Sequence, residues 1–301
     1  MGQIEAKLVE PVSTTSVFRD KTIWIKAAIL GILTGLLYYK ILAGLAVDWW
    51  TDPNFSHGFL IPVFSAFVIW QNRKRLAAIE SRPSWFGLVV ILGSLAVLVV
   101  GVLGAEFFLM RSSFVFLLAG LVIYFLGWRH FRALLFPWAF LFFMIPIPVI
   151  LFNQVAFPLQ FLAAKFASSL LALVGVPVLR DGNIIKLPTM TLEVAQACSG
   201  IRSLMSLGAL AVIFGYIVET RIFPRILLAL SAIPIAVAAN GFRIMGTGLL
   251  GYYWDPSKAE GFFHEFEGWV IFVISLLMLF ILQAALHWIG SIMAGKGKPT
   301  A

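Results

Sequence analysis

The chain has 301 residues, of which 61% are hydrophobic and 12% charged, and its mean hydropathy is +0.97. Those values exclude a soluble globular domain and describe a polytopic membrane protein, because apolar stretches fill most of the length. The formal net charge of +8 does not point to nucleic acid: the basic residues lie between hydrophobic segments, where they orient a protein in the bilayer.

Residues 1–21 are polar and mixed. They precede an apolar run too long for a signal-peptide core, so the first span reads as an uncleaved anchor behind a cytoplasmic tail. Hydrophobic segments follow at about Thr22–Val47, His57–Trp70, Trp85–Gly104, Ser112–Gly127, Ala133–Pro146, Val149–Val176, Ser203–Val218, Ile222–Tyr253 and Gly268–Gly290. Basic clusters stand at Lys7/Arg19/Lys21, Arg73/Lys74/Arg75/Arg82, Arg129/Arg132, Arg221/Arg225 and Lys296/Lys298. The opposite loops carry acids, among them Asp48, Asp52, Glu106, Asp181, Glu193 and Glu265. The positive-inside rule puts the basic set in the cytoplasm.

Parity then constrains the middle of the chain. Arg129/Arg132 and Arg221/Arg225 share a side, yet three apolar segments separate them, so one is not a full crossing. Val149–Val176 carries Asn153, Gln154, Gln160 and Lys165, which are costly facing lipid. It is expected to lie along the outer surface or to re-enter from it. The expected fold is therefore an all-α membrane bundle of about eight crossings plus one interfacial or re-entrant helix. It forms a single domain over 1–301, with the bundle at 22–290 and a cytoplasmic tail at 291–301. Between Val178 and Val194, an Asp181-Gly182-Asn183 turn flanked by β-branched residues predicts a small outer hairpin. There is no internal repeat and no low-complexity stretch.

The chain has one cysteine, Cys198, placed where this polar segment becomes an apolar helix. A lone thiol makes no internal disulfide and no Cys-rich zinc site. It is either an inert packing residue or a reactive one. Arg202, at i+4, shares its helical face, and the start of a helix favours an anion. Asn240 and Arg243, at i and i+3, share a face near the outer end of a span, and His264 stands just before the last span. The topology brings all of these to the outer side. Thiol, imidazole and guanidinium together suit acyl transfer: a thiolate attacks a carbonyl, the histidine moves protons and the guanidinium stabilises an oxyanion. Each also has a plain structural reading, since Arg202 and Arg243 can anchor to headgroups and His264 can be solvated. His57, in the Ser56-His57-Gly58 turn, borders the same groove or caps the second span. His130 and His287 lie toward the cytoplasm. Tryptophans 49, 50, 254 and 269 read as an outer aromatic belt. The sequence assigns no metal and no cofactor.

The stretch Ala197-Cys198-Ser199-Gly200-Ile201-Arg202-Ser203-Leu204, followed by Asn240-Gly241-Phe242-Arg243-Ile244 and then His264, resembles the exosortase/archaeosortase family of membrane transpeptidases. Asp48-Trp49-Trp50 and Asp52-Pro53-Asn54-Phe55-Ser56-His57-Gly58 resemble that family's first outer loop, and the similarity runs from about Trp24 to Gly290. The resemblance implies Cys198 as nucleophile, with Arg243 and His264 as its partners. It implies substrates that are exported proteins with a carboxyl-terminal signal: a Pro-Glu-Pro-like motif, a hydrophobic span and a basic tail. Arg202 is then a candidate to pair with the motif carboxylate, with Asn240 beside it at the substrate. The acyl acceptor is left unnamed, and membrane lipid is the only other partner expected. The resemblance further implies a link to exopolysaccharide production and an inner-membrane location with the site on the extracytoplasmic face. Some members carry an extra soluble carboxyl-terminal domain, which this chain, ending soon after its last span, is expected to lack. The competing readings are an anion transporter and a non-catalytic assembly protein of the polysaccharide machinery. A serine protease built on Ser199 is disfavoured because no serine-protease motif surrounds it.

Overall fold

The computed structural model describes residues 21–194, 201–254 and 262–295. Their helices are α1 (Lys21–Thr51), α2 (Leu60–Gln71), α3 (Arg73–Ala77), α4 (Phe86–Leu103), α5 (Phe107–Phe125), α6 (Trp128–Ala133), α7 (Leu135–Phe140), α8 (Val149–Leu173), α9 (Ile201–Val218), α10 (Ile222–Tyr253) and α11 (Phe262–Gly295). Short 3-10 turns occupy Ser56–Phe59 and Leu141–Met144. The chain divides into two compact units. One contains residues up to Ala46 and Val68–Ala139, the other Val47–Phe67 and everything from Phe140.

In the first unit α4 and α5 pack along their lengths as an antiparallel pair. Glu106 ends the connection between them: its carboxylate accepts from the Leu109 amide at 3.0 Å, which satisfies one of the orphan donors of the first turn of α5. Tyr38 of α1 is fully buried against Leu98 and Leu117. Its hydroxyl shares a hydrogen bond of 3.0 Å with Ser113 Oγ, so the one polar atom of that ring has a partner.

The second unit is organised by a helical hairpin. α9 and α10 run antiparallel, with Gly215 against the backbone of Arg225. The Arg225 guanidinium donates to the carbonyls of Glu219 (2.7 Å) and Tyr216 (3.2 Å), the orphan acceptors that end α9. Leu207 and Ala211 of α9 bury against Leu228, Ala232, Ile235 and Ala236 of α10, joined by Leu279 of α11. α8 presents a stripe of Ala156, Gln160, Ala163, Ala164, Ala167 and Leu171, buried at helical spacing. Small residues on such a stripe let a neighbouring backbone come close. Its C-terminal half packs on α10 through Phe166 at Gly241 and Leu171 at Gly248.

Three strands follow α8: β1 (Leu179–Asp181), β2 (Ile184–Lys186) and β3 (Thr191–Glu193), in antiparallel order β1-β2-β3. The expected hairpin is present as β1–β2. Its two-residue loop has Gly182 at φ 64° and no positive φ at Asn183, the pattern of a type II′ turn, which needs glycine first. The difference from expectation is β3, which extends the hairpin to a meander. The inward residues Ile185 and Leu187, with Val194 just after β3, join Ala163, Ala164, Ala167 and Leu171 of α8 and Ile244 of α10 in one core cluster.

Among the described residues, six helices are long and apolar enough to cross a membrane: Ala28–Thr51, Phe86–Leu103, Phe107–Phe125, Val149–Leu173, Ile222–Tyr253 and Trp269–Trp288. The segment expected to be the exception, Val149–Val176, contributes Val149–Leu173 to these by length and composition. Of its four polar residues Gln160 is turned inward and is 2% exposed, whereas Gln154 and Lys165 are exposed. Three further segments expected to cross form shorter apolar helices, Ser56–Gln71, Leu135–Met144 and Ser203–Val218.

Candidate active site

The register of the α9–α10 hairpin sets the site. Counting 14 residues back from Gly215 reaches Ile201, and 14 forward from Arg225 reaches Ala239. Each path is about 21 Å at 1.5 Å per residue. The start of α9 therefore stands level with the turn of α10 that carries Asn240 and Arg243. The C-terminal end of α8 and the sheet close on the same stretch of α10. Phe166 and Phe242 meet edge to face with centroids 5.4 Å apart. Leu192 lies against Gly248, and Thr189 Oγ1 donates to the Gly251 carbonyl at 3.0 Å.

Asn240 and Arg243 are brought together on α10 as expected, but in different surroundings. Asn240 is 2% exposed, inside the packed interior. Arg243 is half-buried, and its carbonyl accepts from Thr247 Oγ1 at 3.1 Å. Arg202 falls in the first turn of α9 and His264 in the first turn of α11. The side chains of both lie outside the described residues, as does Cys198, in the segment 195–200 between Val194 and Ile201. Among the described residues, no group of three or more His, Cys, Asp or Glu is placed to hold a metal ion.

The structure does not bring His57 to Arg243. His57 sits in the Ser56–Phe59 turn, with Nε2 3.2 Å from the Phe143 carbonyl. Next to it, Trp49 Nε1 donates to the Met144 carbonyl at 2.8 Å. Gly58 passes directly under the Trp49 indole, where any Cβ would overlap the ring. Asp52 Oδ1 accepts from both the backbone N–H and the side-chain amide of Asn54, each at 2.8 Å, which fixes an Asx turn. Phe55 of this loop meets Phe152 of α8 at 6.4 Å. From Phe152 to Phe166, which touches the Arg243-bearing turn, is 14 residues or about 21 Å along α8. The loop is thus a pinned structural element; none of these contacts reaches Arg243, and its Ser56–Phe59 turn packs against α9, the helix that follows Cys198. Trp49 is its centre, and differs from Trp50, Trp254 and Trp269, which are all exposed as a belt requires. Nothing in the sequence separates Trp49 from Trp50; only the donor partner does. Trp49→Phe keeps an aromatic ring but removes the donor and the pyrrole half that lies over Gly58, leaving the Met144 carbonyl without its partner. It is expected to lower stability by about 1 kcal/mol, read as an earlier thermal midpoint in detergent. An unchanged midpoint would show that water replaces the bond at no cost.

A family model for transmembrane exosortases (Exosortase_EpsH) matches residues 49–281. No curated protein and no solved structure matches the chain. The matched region starts at Trp49, takes in the first loop, the sheet, Cys198 and Arg243, and ends within α11. With more than three quarters of its length matched, on a fold of membrane-length helices, the chain belongs to the transmembrane exosortase family.

Proposed function

We propose that this protein is a membrane cysteine endopeptidase and transpeptidase that removes the carboxyl-terminal sorting signal of exported proteins. One observation supports the reading above the others. α9 begins three residues after Cys198 and stands level with the α10 turn holding Asn240 and Arg243. In this mechanism the Cys198 thiolate attacks the carbonyl carbon of the scissile peptide bond. The carbonyl oxygen becomes an oxyanion that the Arg243 guanidinium stabilises. The C–N bond breaks, protonated His264 gives its proton to the departing amine, and the acyl group stays on sulfur as a thioester. An acceptor nucleophile then attacks the thioester and yields its proton to His264, and the thiolate leaves. Cys198, Arg243 and His264 are the catalytic residues of this reading. Arg202 pairs with the acidic residue of a Pro-Glu-Pro-like motif. Asn240, being buried, orients the α10 turn for substrate binding. No cofactor enters any step.

The proposed topology follows the charges: eight crossings, both termini cytoplasmic, and the site on the extracytoplasmic face of the inner membrane. α8 re-enters from the outer side, with its C-terminal half supported by α10. The substrates are membrane-anchored through their own tails, and the activity serves exopolysaccharide-linked protein export. The test is direct. Protein in lipid is mixed with a tailed substrate and quenched in denaturant. Release of the tail and a covalent adduct that neutral hydroxylamine removes are expected. Absence of both would overturn the proposal and favour a non-catalytic assembly role.

A further inference from the structure

The sheet has an open edge five residues before the proposed nucleophile, and its hydrogen-bond polarity is fixed by the register. β2 and β3 pair Ile184 with Glu193, Ile185 with Leu192 and Lys186 with Thr191. Two flanking bonds set the phase: the Val194 amide donates to the Asn183 carbonyl (3.0 Å) and the Leu187 amide to the Met190 carbonyl (2.8 Å). Antiparallel partners alternate between hydrogen-bonded and non-bonded pairs. The pairs 183/194 and 187/190 are bonded, so 185/192 is bonded too, while 184/193 and 186/191 are not. The N–H and C=O groups of Thr191 and Glu193 therefore point away from β2, toward the free side of β3. Both residues are exposed, and among the described residues no backbone bond to either is made on that side. Leu192, between them, turns its side chain into the core cluster. β1 offers less: only the main chain of Arg180 faces its free side, and the guanidinium folds back onto the Gly182 carbonyl at 2.9 Å.

Exposed edges are templates for another chain and are normally blunted. This one is limited to three residues and carries the exposed carboxylate of Glu193, but no proline interrupts it, and the chain leaves it for Cys198 within five residues. The geometry points to β3 as the docking strand for the substrate: an extended peptide of the exported protein adds to its free edge through main-chain bonds to Thr191 and Glu193. The inference rests on the substrate reading above and names how that substrate is held. A motif of the form Pro-x-Pro suits such an edge for a physical reason. If the middle residue stands antiparallel opposite Thr191, it makes both ladder bonds, and the flanking prolines, which lack N–H, turn their nitrogens to the outside. The residue before a proline is also held extended, so little ordering remains to be done on binding. The ladder holds the main chain and leaves the acidic side chain for Arg202.

Thr191→Pro isolates the claim, because that residue's N–H serves the free edge and not the ladder with β2. Processing of a tailed substrate is expected to fall at least tenfold. Cys198 should keep its wild-type rate with a small thiol reagent, which shows an intact fold. Wild-type processing by Thr191→Pro overturns the inference. A second measurement needs neither catalysis nor that variant. In a Cys198→Ala background, single cysteines at 191, 192 or 193 are oxidised with substrates carrying one cysteine at three successive positions beside the motif. Disulfides are expected at 191 and 193 but not 192, alternating along the substrate as well. No cross-link, or cross-links without alternation, overturns docking on this edge. Failure of the catalytic reading looks different: Cys198→Ala would then process substrate like wild type, whatever the cross-linking shows.

Discussion

Cys198→Ala is expected to leave a tailed substrate at full length, with processing down by about 10³-fold or more, the scale of losing a covalent nucleophile. Cys198→Ser should recover little of this, because a hydroxyl beside a histidine poised for a thiol is a far weaker nucleophile at neutral pH. Substrate should still associate with the alanine variant, since binding draws on the main chain of the motif, its acidic residue and its hydrophobic span. Arg243→Ala should be milder, costing about 10²–10³ in rate, the size of one oxyanion donor. The order of severity is the point. A transporter using Arg202 and Arg243 for an anion predicts the reverse order, with Cys198→Ala nearly silent. Following substrate size in membranes with the three proteins separates the two, and equal processing by wild type and Cys198→Ala would remove the enzymatic reading.

The helical membrane class was legible because hydropathy reports burial in lipid directly, without any knowledge of neighbours. The β1–β2 hairpin was legible for a similar reason: its turn is local, and Gly182 supplies the positive φ that the turn demands. β3 was not legible as a strand. Thr191-Leu192-Glu193 is three residues long, and its pairing with β2 depends on register and on the apolar cluster beneath Ile185, neither of which composition shows. The same limit applied to α8. Its sequence shows four polar residues but not which way each turns: Gln160 lies on the buried alanine stripe, while Gln154 and Lys165 are exposed. In the site, Asn240 and Arg243 followed from helical spacing alone, whereas the burial of Asn240 follows from which faces of α8 and α10 meet. For the first loop the sequence left two readings of His57 open, bordering the groove or capping the second span, because its partners at Phe143 and Met144 lie far along the chain.

Gly241→Ala is expected to be the most damaging small substitution in the α8–α10 contact. A Cβ at 241 would overlap Cδ1 of Phe166 and crowd its Cε1 and Cγ at 3.1 and 3.2 Å. Swinging the Phe166 ring aside gives up its edge-to-face contact with Phe242. Either the ring leaves its rotamer or α10 moves off α8, and overpacking of that kind costs about 1–3 kcal/mol. The second route also displaces Arg243, two residues along, so processing should fall together with the thermal midpoint. Gly251→Ala offers the comparison. Its Cβ would meet the Met190 thioether, an unbranched side chain that can yield, and its cost should be smaller. Phe166→Leu supplies the decisive arm. The smaller side chain makes room for the added methyl, so the double variant should be more stable than Gly241→Ala alone, with a coupling of about 0.5–3 kcal/mol in a double-mutant cycle. Strict additivity would mean that the methyl is accommodated elsewhere and that the α8–α10 contact does not fix the Arg243 turn.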